Sequence, residues 1–108
     1  MKILATSTPA PGTTPEELGR DMDAEIARGR QFYRDGLIEQ AYMDPTYTRT
    51  WMILEAPTVA DAEAAFGTYP QVAAGLITFT FTPLVGLPAV PDVERERGNR
   101  LPSWWPAS

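Results

Sequence analysis

The 108-residue sequence predicts a single α+β domain, with a four-stranded antiparallel sheet that carries two helices on one face. A capping box opens a long helical pattern, and the stretch LITFTFT alternates apolar and polar side chains as a strand does. The predicted elements follow the order strand, helix, strand, strand, helix, strand. A chain of this length buries roughly 65% of its extended-chain surface on folding, so one domain is expected without disulfides.

The first two elements are a strand over residues 2–8 and one long helix over about 15–35. Thr14 is a good N-cap, Pro15 suits the first helical position, and Glu17 completes the capping box. Gly36 is expected just past the C-terminus of the helix. The predicted apolar stripe of this helix consists of Leu18, Met22, Ile26 and Tyr33.

The next two elements form a predicted hairpin. Strands are expected over residues 37–43 and 47–56, because both segments are rich in β-branched and aromatic residues, with the turn residues DPT between them. Strand alternation places Arg49 and Trp51 on one face of the second strand.

The last two predicted elements are a helix over about 59–67 and a strand over 76–84. Thr58 caps the helix, and the apolar residues of the strand are expected to face the helices. The complete order is the split βαβ arrangement of the ferredoxin-like fold. Because both helices cover the same face, large groups on the opposite face need another cover.

Residues 1–86 are therefore expected to form the domain, and residues 87–108 a Pro-rich extended tail. Trp104 and Trp105 lie at the end of this tail. Burial of an indole is worth a few kcal/mol, so we expect the tail to dock on its own subunit or on a neighbouring one.

Composition excludes several classes of function. The chain contains no cysteine and no histidine, which removes thiolate and imidazole chemistry and the usual zinc ligands. A net charge of -5 with a single lysine, Lys2, argues against nucleic-acid and membrane partners. No phosphate-binding motif or metal motif occurs. We expect a cytoplasmic protein without cofactor or metal that binds a small molecule.

The segment from Gly36 to Thr58 resembles the muconolactone isomerase family. The matching features are a glycine after the first helix, two aromatic residues, an apolar-apolar-acid run, a proline and a hydroxyl cap, at Gly36, Tyr42, Trp51, Ile53, Leu54, Glu55, Pro57 and Thr58. The resemblance implies a ferredoxin-like subunit that pairs sheet to sheet into a dimeric α+β barrel, as a homodimer or higher homo-oligomer. It also implies cofactor-free proton transfer, with a tail lying over a neighbour's pocket. The catalytic histidines and cysteines of several relatives have no counterpart.

Three residues are candidates for catalysis. Arg49 could stabilise an enolate-like oxygen, or it could be an exposed arginine packed on Trp51. Tyr42 could move a proton, or it could be a tyrosine at the rim of the sheet. Glu39 is expected on the strand face opposite Tyr42, towards the helices, or in the cavity if the faces are reversed; a solvated strand-end charge is the alternative.

A second group of residues is expected to bind substrate, and ordinary structural roles remain open for each of them. This group consists of Trp51, Gln40, Tyr47, Tyr33, Thr78, Thr80, Trp104 and Trp105.

The predicted function is that of a small cofactor-independent isomerase or cyclase, which moves a proton on a small cyclic or polyketide-like carbonyl compound, either a lactone or an aromatic. Two alternatives stay open. One is a cofactor-free monooxygenase of an anthrone-like substrate, and the other is a non-catalytic ligand-binding or assembly subunit.

Overall fold

The computed structural model describes residues 1–86 and 103–104. Its elements are β1 (Lys2–Pro9), α1 (Pro15–Arg20), α2 (Met22–Arg34), β2 (Ile38–Met43), β3 (Thr50–Glu55), α3 (Val59–Phe66), α4 (Pro70–Ala73) and β4 (Ile77–Leu84). The prediction of a docked tail concerns residues that lie almost entirely outside the described ones.

The four strands form one antiparallel sheet in the order β2-β3-β1-β4. This order confirms the predicted ferredoxin-like arrangement. Ala5 pairs with Met52 on one side and with Phe81 on the other, so apolar residues of the central strands share one face. The helices pack on that face, where the core contains Ile3, Ala5, Leu54 and the ring of Phe66.

The predicted single helix over 15–35 is wrong, because the chain breaks at Asp21 into α1 and α2. Asp21 has φ -114° and ψ 29°, which lies outside the helical region. Its carbonyl then accepts the first hydrogen bond of α2, from the Glu25 amide at 3.0 Å. The capping box of Thr14 and Glu17 is present as predicted. The break separates the two helices that flank the site described below.

Gly36 ends α2 as predicted, with φ 81°. Its amide donates to the Tyr33 carbonyl at 3.2 Å, and the Leu37 amide donates to the Phe32 carbonyl at 3.0 Å. This pair of bonds is a Schellman motif. The predicted apolar stripe is wrong at Tyr33, which is 49% exposed while Phe32 enters the core, and its members Met22 and Ile26 are also exposed.

The hairpin between β2 and β3 is confirmed, but β3 begins at Thr50 rather than at residue 47. The cause is Asp44, whose Oδ1 accepts hydrogen bonds from the amides of Thr48 and Arg49, both at 2.9 Å. Tyr47 adopts φ 58°, in the left-handed region, so residues 44–49 form a compact loop.

The second predicted helix is confirmed as α3, and a further short helix, α4, follows it. Pro70 occupies the first position of α4, where its fixed φ suits a helix start. No described helix is long and apolar enough to cross a membrane.

Candidate active site

A cavity of about 290 Å³ lies between the helices and one end of the sheet. Its apolar wall contains two aromatic rings and residues from α1, α2 and the strands, namely Leu18, Met22, Ile26, Met43, Met52, Ile77, Phe79 and Tyr69. Its polar residues are Ser7, Glu25, Tyr47, Thr48, Thr50 and Gln71. A mostly apolar recess with a few polar groups is typical of small-molecule sites, although this volume lies at the low end of their roughly 300–1,000 Å³ range.

The cavity has a buried floor and an open mouth. Ser7, Tyr69 and Gln71 are each at most 6% exposed and form the floor. The mouth is ringed by large apolar side chains that remain exposed, namely Met22, Ile26, Met43 and Tyr47. A ligand entering between these side chains would reach the buried polar residues Ser7 and Gln71 at depth.

Glu25 is the carboxylate of this cavity. It lies half-buried on α2, and its Oε1 accepts a hydrogen bond of 2.7 Å from the amide of Gln71. Burial raises the pKa of Glu25 above its ordinary value, and the nearby charge of Asp21 raises it further, while the Gln71 amide opposes both effects. A carboxylate with a raised pKa is a stronger base than one in water, as a proton-transfer site requires.

Gln71 fixes this carboxylate in place. Its side-chain Nε2 donates to the Leu18 carbonyl at 2.5 Å, at the end of α1, while its backbone amide holds Glu25 on α2. One buried residue at the start of α4 therefore joins the two helices that line the cavity.

Tyr69 lies between the cavity and the aromatic core. Its ring is 5.2 Å from those of Phe32 and Phe66 and 6.1 Å from that of Phe79. Burial raises the pKa of the Tyr69 hydroxyl, and the charge of Glu25 raises it further. The hydroxyl therefore stays protonated at neutral pH.

Four of the predicted site residues come together on the other face of the sheet, away from the helices. The Arg49 guanidinium lies over the Trp51 ring, 5.8 Å from its centroid. Tyr42 pairs with Trp51 across the hairpin, and the Tyr42 hydroxyl is 3.4 Å from Oε1 of Gln40. These four residues are thus neighbours, but none of them lines the cavity described above. We refer to this surface as the open face.

Glu39 does not face the helices, so the first of the two expected positions is wrong. A β-bulge between Ile38 and Gln40 makes Glu39 an extra residue, and the alternation that predicted its face is interrupted there. Its Oε1 pairs with Nζ of Lys2, a residue of β1 on the open face.

The remaining predicted binding residues are scattered. Tyr47 does line the cavity, at its mouth, whereas Tyr33 is an exposed residue of α2 that does not line it. Thr78 and Thr80 are exposed on β4, on the face opposite Phe79 and Phe81. Trp104 is 75% exposed, and Trp105 lies outside the described residues.

Four residues of the cavity were not predicted from the sequence to belong to a site, namely Glu25, Tyr69, Gln71 and Ser7. Glu25 carried a usable signal, because it lies seven residues after Leu18 and three after Met22, on the helical face of the apolar stripe. A carboxylate on such a stripe is removed from water when the stripe packs. Among the described residues no group of three or more acidic side chains could hold a metal ion.

The fold defines a class, that of small ferredoxin-like α+β proteins with a four-stranded antiparallel sheet. The chain is similar to the crystal structure of muconolactone isomerase, with a TM-score of 0.66 and 13% sequence identity over 82% of this chain and 93% of that one. It is also similar to 5-chloro-2-hydroxyhydroquinone dehydrochlorinase from Burkholderia phenoliruptrix AC1100, solved with 2,5-dihydroxybenzoquinone. That structure has a TM-score of 0.57 and 18% identity over 80% of this chain and 96% of that one. At such identities the likeness is one of fold.

Comparison with protein-family models and with curated protein sequences finds no match.

Proposed function

We propose that the protein is a cofactor-independent enzyme that moves a proton on a small cyclic or polyketide-like carbonyl compound. The observation that supports this most directly is Glu25, a half-buried carboxylate of raised pKa on the wall of an apolar cavity. Two enzymes of the same fold act on compounds of this size, and one of them was solved with a dihydroxybenzoquinone.

In the proposed reaction, Glu25 takes a proton from a carbon next to the carbonyl group of the substrate. The electron pair of the C–H bond moves towards the carbonyl oxygen, and the protonated Glu25 then returns the proton to another carbon of the same ring system. The Gln71 amide keeps the carboxylate in one orientation, and the apolar wall of the cavity surrounds the intermediate. The reaction consumes no co-reactant.

The test is hydrogen–deuterium exchange of candidate ring ketones and lactones in heavy water, followed by NMR. We expect Glu25→Gln to slow exchange by roughly 100-fold or more, because a general base is removed without loss of the hydrogen bond from Gln71. Glu16→Gln is the matched control, since Glu16 is an exposed carboxylate of α1 outside the cavity.

Exchange that survives in Glu25→Gln but is lost in Arg49→Ala would move the reaction to the open face, where Arg49, Tyr42 and Trp51 lie together. Oxygen uptake in a metal-free assay would favour the monooxygenase alternative. Tight binding of the ring compounds without exchange or oxygen uptake would favour the ligand-binding alternative.

A further inference from the structure

We propose that the hydroxyl pair Ser7–Thr50 recognises a hydrogen-bond-accepting oxygen of the substrate, a carbonyl oxygen that becomes an enolate during the reaction. This inference rests on the proposed function, because it concerns the same cavity. The sheet side of the cavity would bind the oxygen of the substrate, while Glu25 acts on the neighbouring carbon.

Ser7 makes two hydrogen bonds with Thr50. Its Oγ accepts the backbone amide of Thr50 at 2.9 Å, and its second bond joins it to the Thr50 hydroxyl at 2.8 Å. Two hydroxyl groups carry two protons, and the bond between them uses only one. Whichever of the two donates, one hydroxyl proton of the pair is left without an acceptor among the described residues.

The two residues that share this spare hydroxyl proton lie in the wall of the cavity. Ser7 is 5% exposed, and both residues line the cavity from the sheet side, whereas Glu25 lines it from α2. A buried donor without an acceptor is costly, and an acceptor atom entering the cavity would relieve that cost. The pair therefore faces the ligand from the wall opposite the proposed base.

The other hydroxyl groups on the sheet side of the cavity, those of Thr48 and Tyr47, differ from this pair in bonding or in exposure. Thr48 already donates to Oδ2 of Asp44 at 3.1 Å, and Tyr47 lies at the mouth, where it is 76% exposed. The Ser7–Thr50 pair is thus the buried donor that the hairpin and β1 supply. A donor placed where negative charge develops stabilises an enolate more than it stabilises the neutral ketone.

The test compares binding of 1-tetralone with that of tetralin, the same ring system without the carbonyl group. Dissociation constants come from NMR titration of the methyl signals of Met22, Met43 and Met52, which line the cavity. Thr50→Val is the matched control, because its amide still donates to Ser7 and the Ser7 hydroxyl stays available. The test variant is Ser7→Ala combined with Thr50→Val, which removes both hydroxyls.

We expect the double variant to weaken binding of tetralone relative to tetralin by roughly 3- to 10-fold compared with Thr50→Val, the net worth of one hydrogen bond. Binding of tetralin should be unchanged, which also shows that the cavity persists. Equal ratios in the two variants, or no binding of either compound to the unaltered protein, would overturn the proposal.

If the alanine variant does not fold, Ser7→Cys in the Thr50→Val background replaces it, since a thiol is a weak donor of similar size. The two proposals fail separately. Loss of the tetralone preference in the double variant supports the hydroxyl pair even when Glu25→Gln leaves exchange intact. If the double variant keeps the tetralone preference and Glu25→Gln loses exchange, Glu25 is the base and the hydroxyl pair is not the donor.

Discussion

Glu25 shows how one residue acquires its chemistry from its neighbours. It belongs to a highly charged helix, yet it lies half-buried beside apolar side chains and accepts the amide of Gln71. Burial disfavours its ionised form, so the residue holds a proton at a pH where exposed carboxylates have lost theirs.

This raised pKa predicts the pH dependence of the reaction. The base form of Glu25 must be ionised, so the exchange rate should rise with pH along a curve whose midpoint lies above 4.5, the ordinary pKa of a glutamate. Asp21→Asn should move this midpoint downwards, because the charge of Asp21 raises the pKa of Glu25. Asp23→Asn, at an exposed position on the same helix, is the control. A midpoint at or below 4.5 would contradict the assignment.

Glu25 also affects the free energy of unfolding, and the pH dependence it causes is opposite in sign to that of most carboxylates. Between pH 4.5 and the raised pKa, the folded protein binds more protons than the unfolded chain. The free energy of unfolding, measured relative to Glu25→Gln, should therefore fall as pH rises through this interval. Urea denaturation at a series of pH values measures it.

At the scale of elements, the loop between β2 and β3 decides what each side of the hairpin presents. Asp44 holds the amides of Thr48 and Arg49, which places Tyr47 and Thr48 at the cavity while Arg49 lies over Trp51 on the open face. Hydrogen bonds from Thr46 and from the amide of Arg49 hold the pKa of Asp44 well below its ordinary value of 3.8.

We expect Asp44→Ala to lower the midpoint of thermal unfolding at neutral pH, because two backbone amides lose their acceptor. Because the pKa of Asp44 is lowered in the folded state, its ionised form stabilises the fold above pH 3.8. The difference in unfolding midpoint between Asp44→Ala and the unaltered protein should therefore shrink as pH falls below 3.8. Asp23→Ala serves as the control. Equal midpoints for the two variants at pH 7 would contradict this role of Asp44.

The sequence predicted most elements because their signals are local. The capping box at Thr14, the glycine after α2 and the alternation in β4 each depend on a few neighbouring residues. The break at Asp21 and the bulge at Glu39 were missed, since both depend on how distant elements pack. The cavity was missed for the same reason, because Glu25 and Gln71 are 46 residues apart.

At the scale of the whole molecule, the open face of the sheet is the main surface that the helices leave uncovered. Leu4 pairs with Ile53 there, and Thr6 pairs with Trp51, so a partly buried apolar strip crosses the central strands. We propose that a second copy of the chain covers this strip, as the resemblance of the sequence to muconolactone isomerases implies.

The dimer proposal predicts that Ile53→Asp reduces the mass of the oligomer, because an acidic residue in the middle of the strip would be buried without a partner. Light scattering after size-exclusion chromatography measures the mass. Ala60→Asp, on the exposed side of α3, is the control and should leave it unchanged. A monomeric unaltered protein would contradict the proposal.

The bulge in β2 determines how the strand would respond to the deletion of one residue. Ile38 and Ala41 pair opposite Leu54 and Met52, and Gln40 pairs opposite Ile53, so Glu39 is the one residue of the strand without its own position in the ladder. Removing its codon would restore strict alternation and leave both core residues in place. Glu39 is therefore a residue that the sheet accommodates outside its alternation, and its side chain pairs with Lys2 rather than packing in the core.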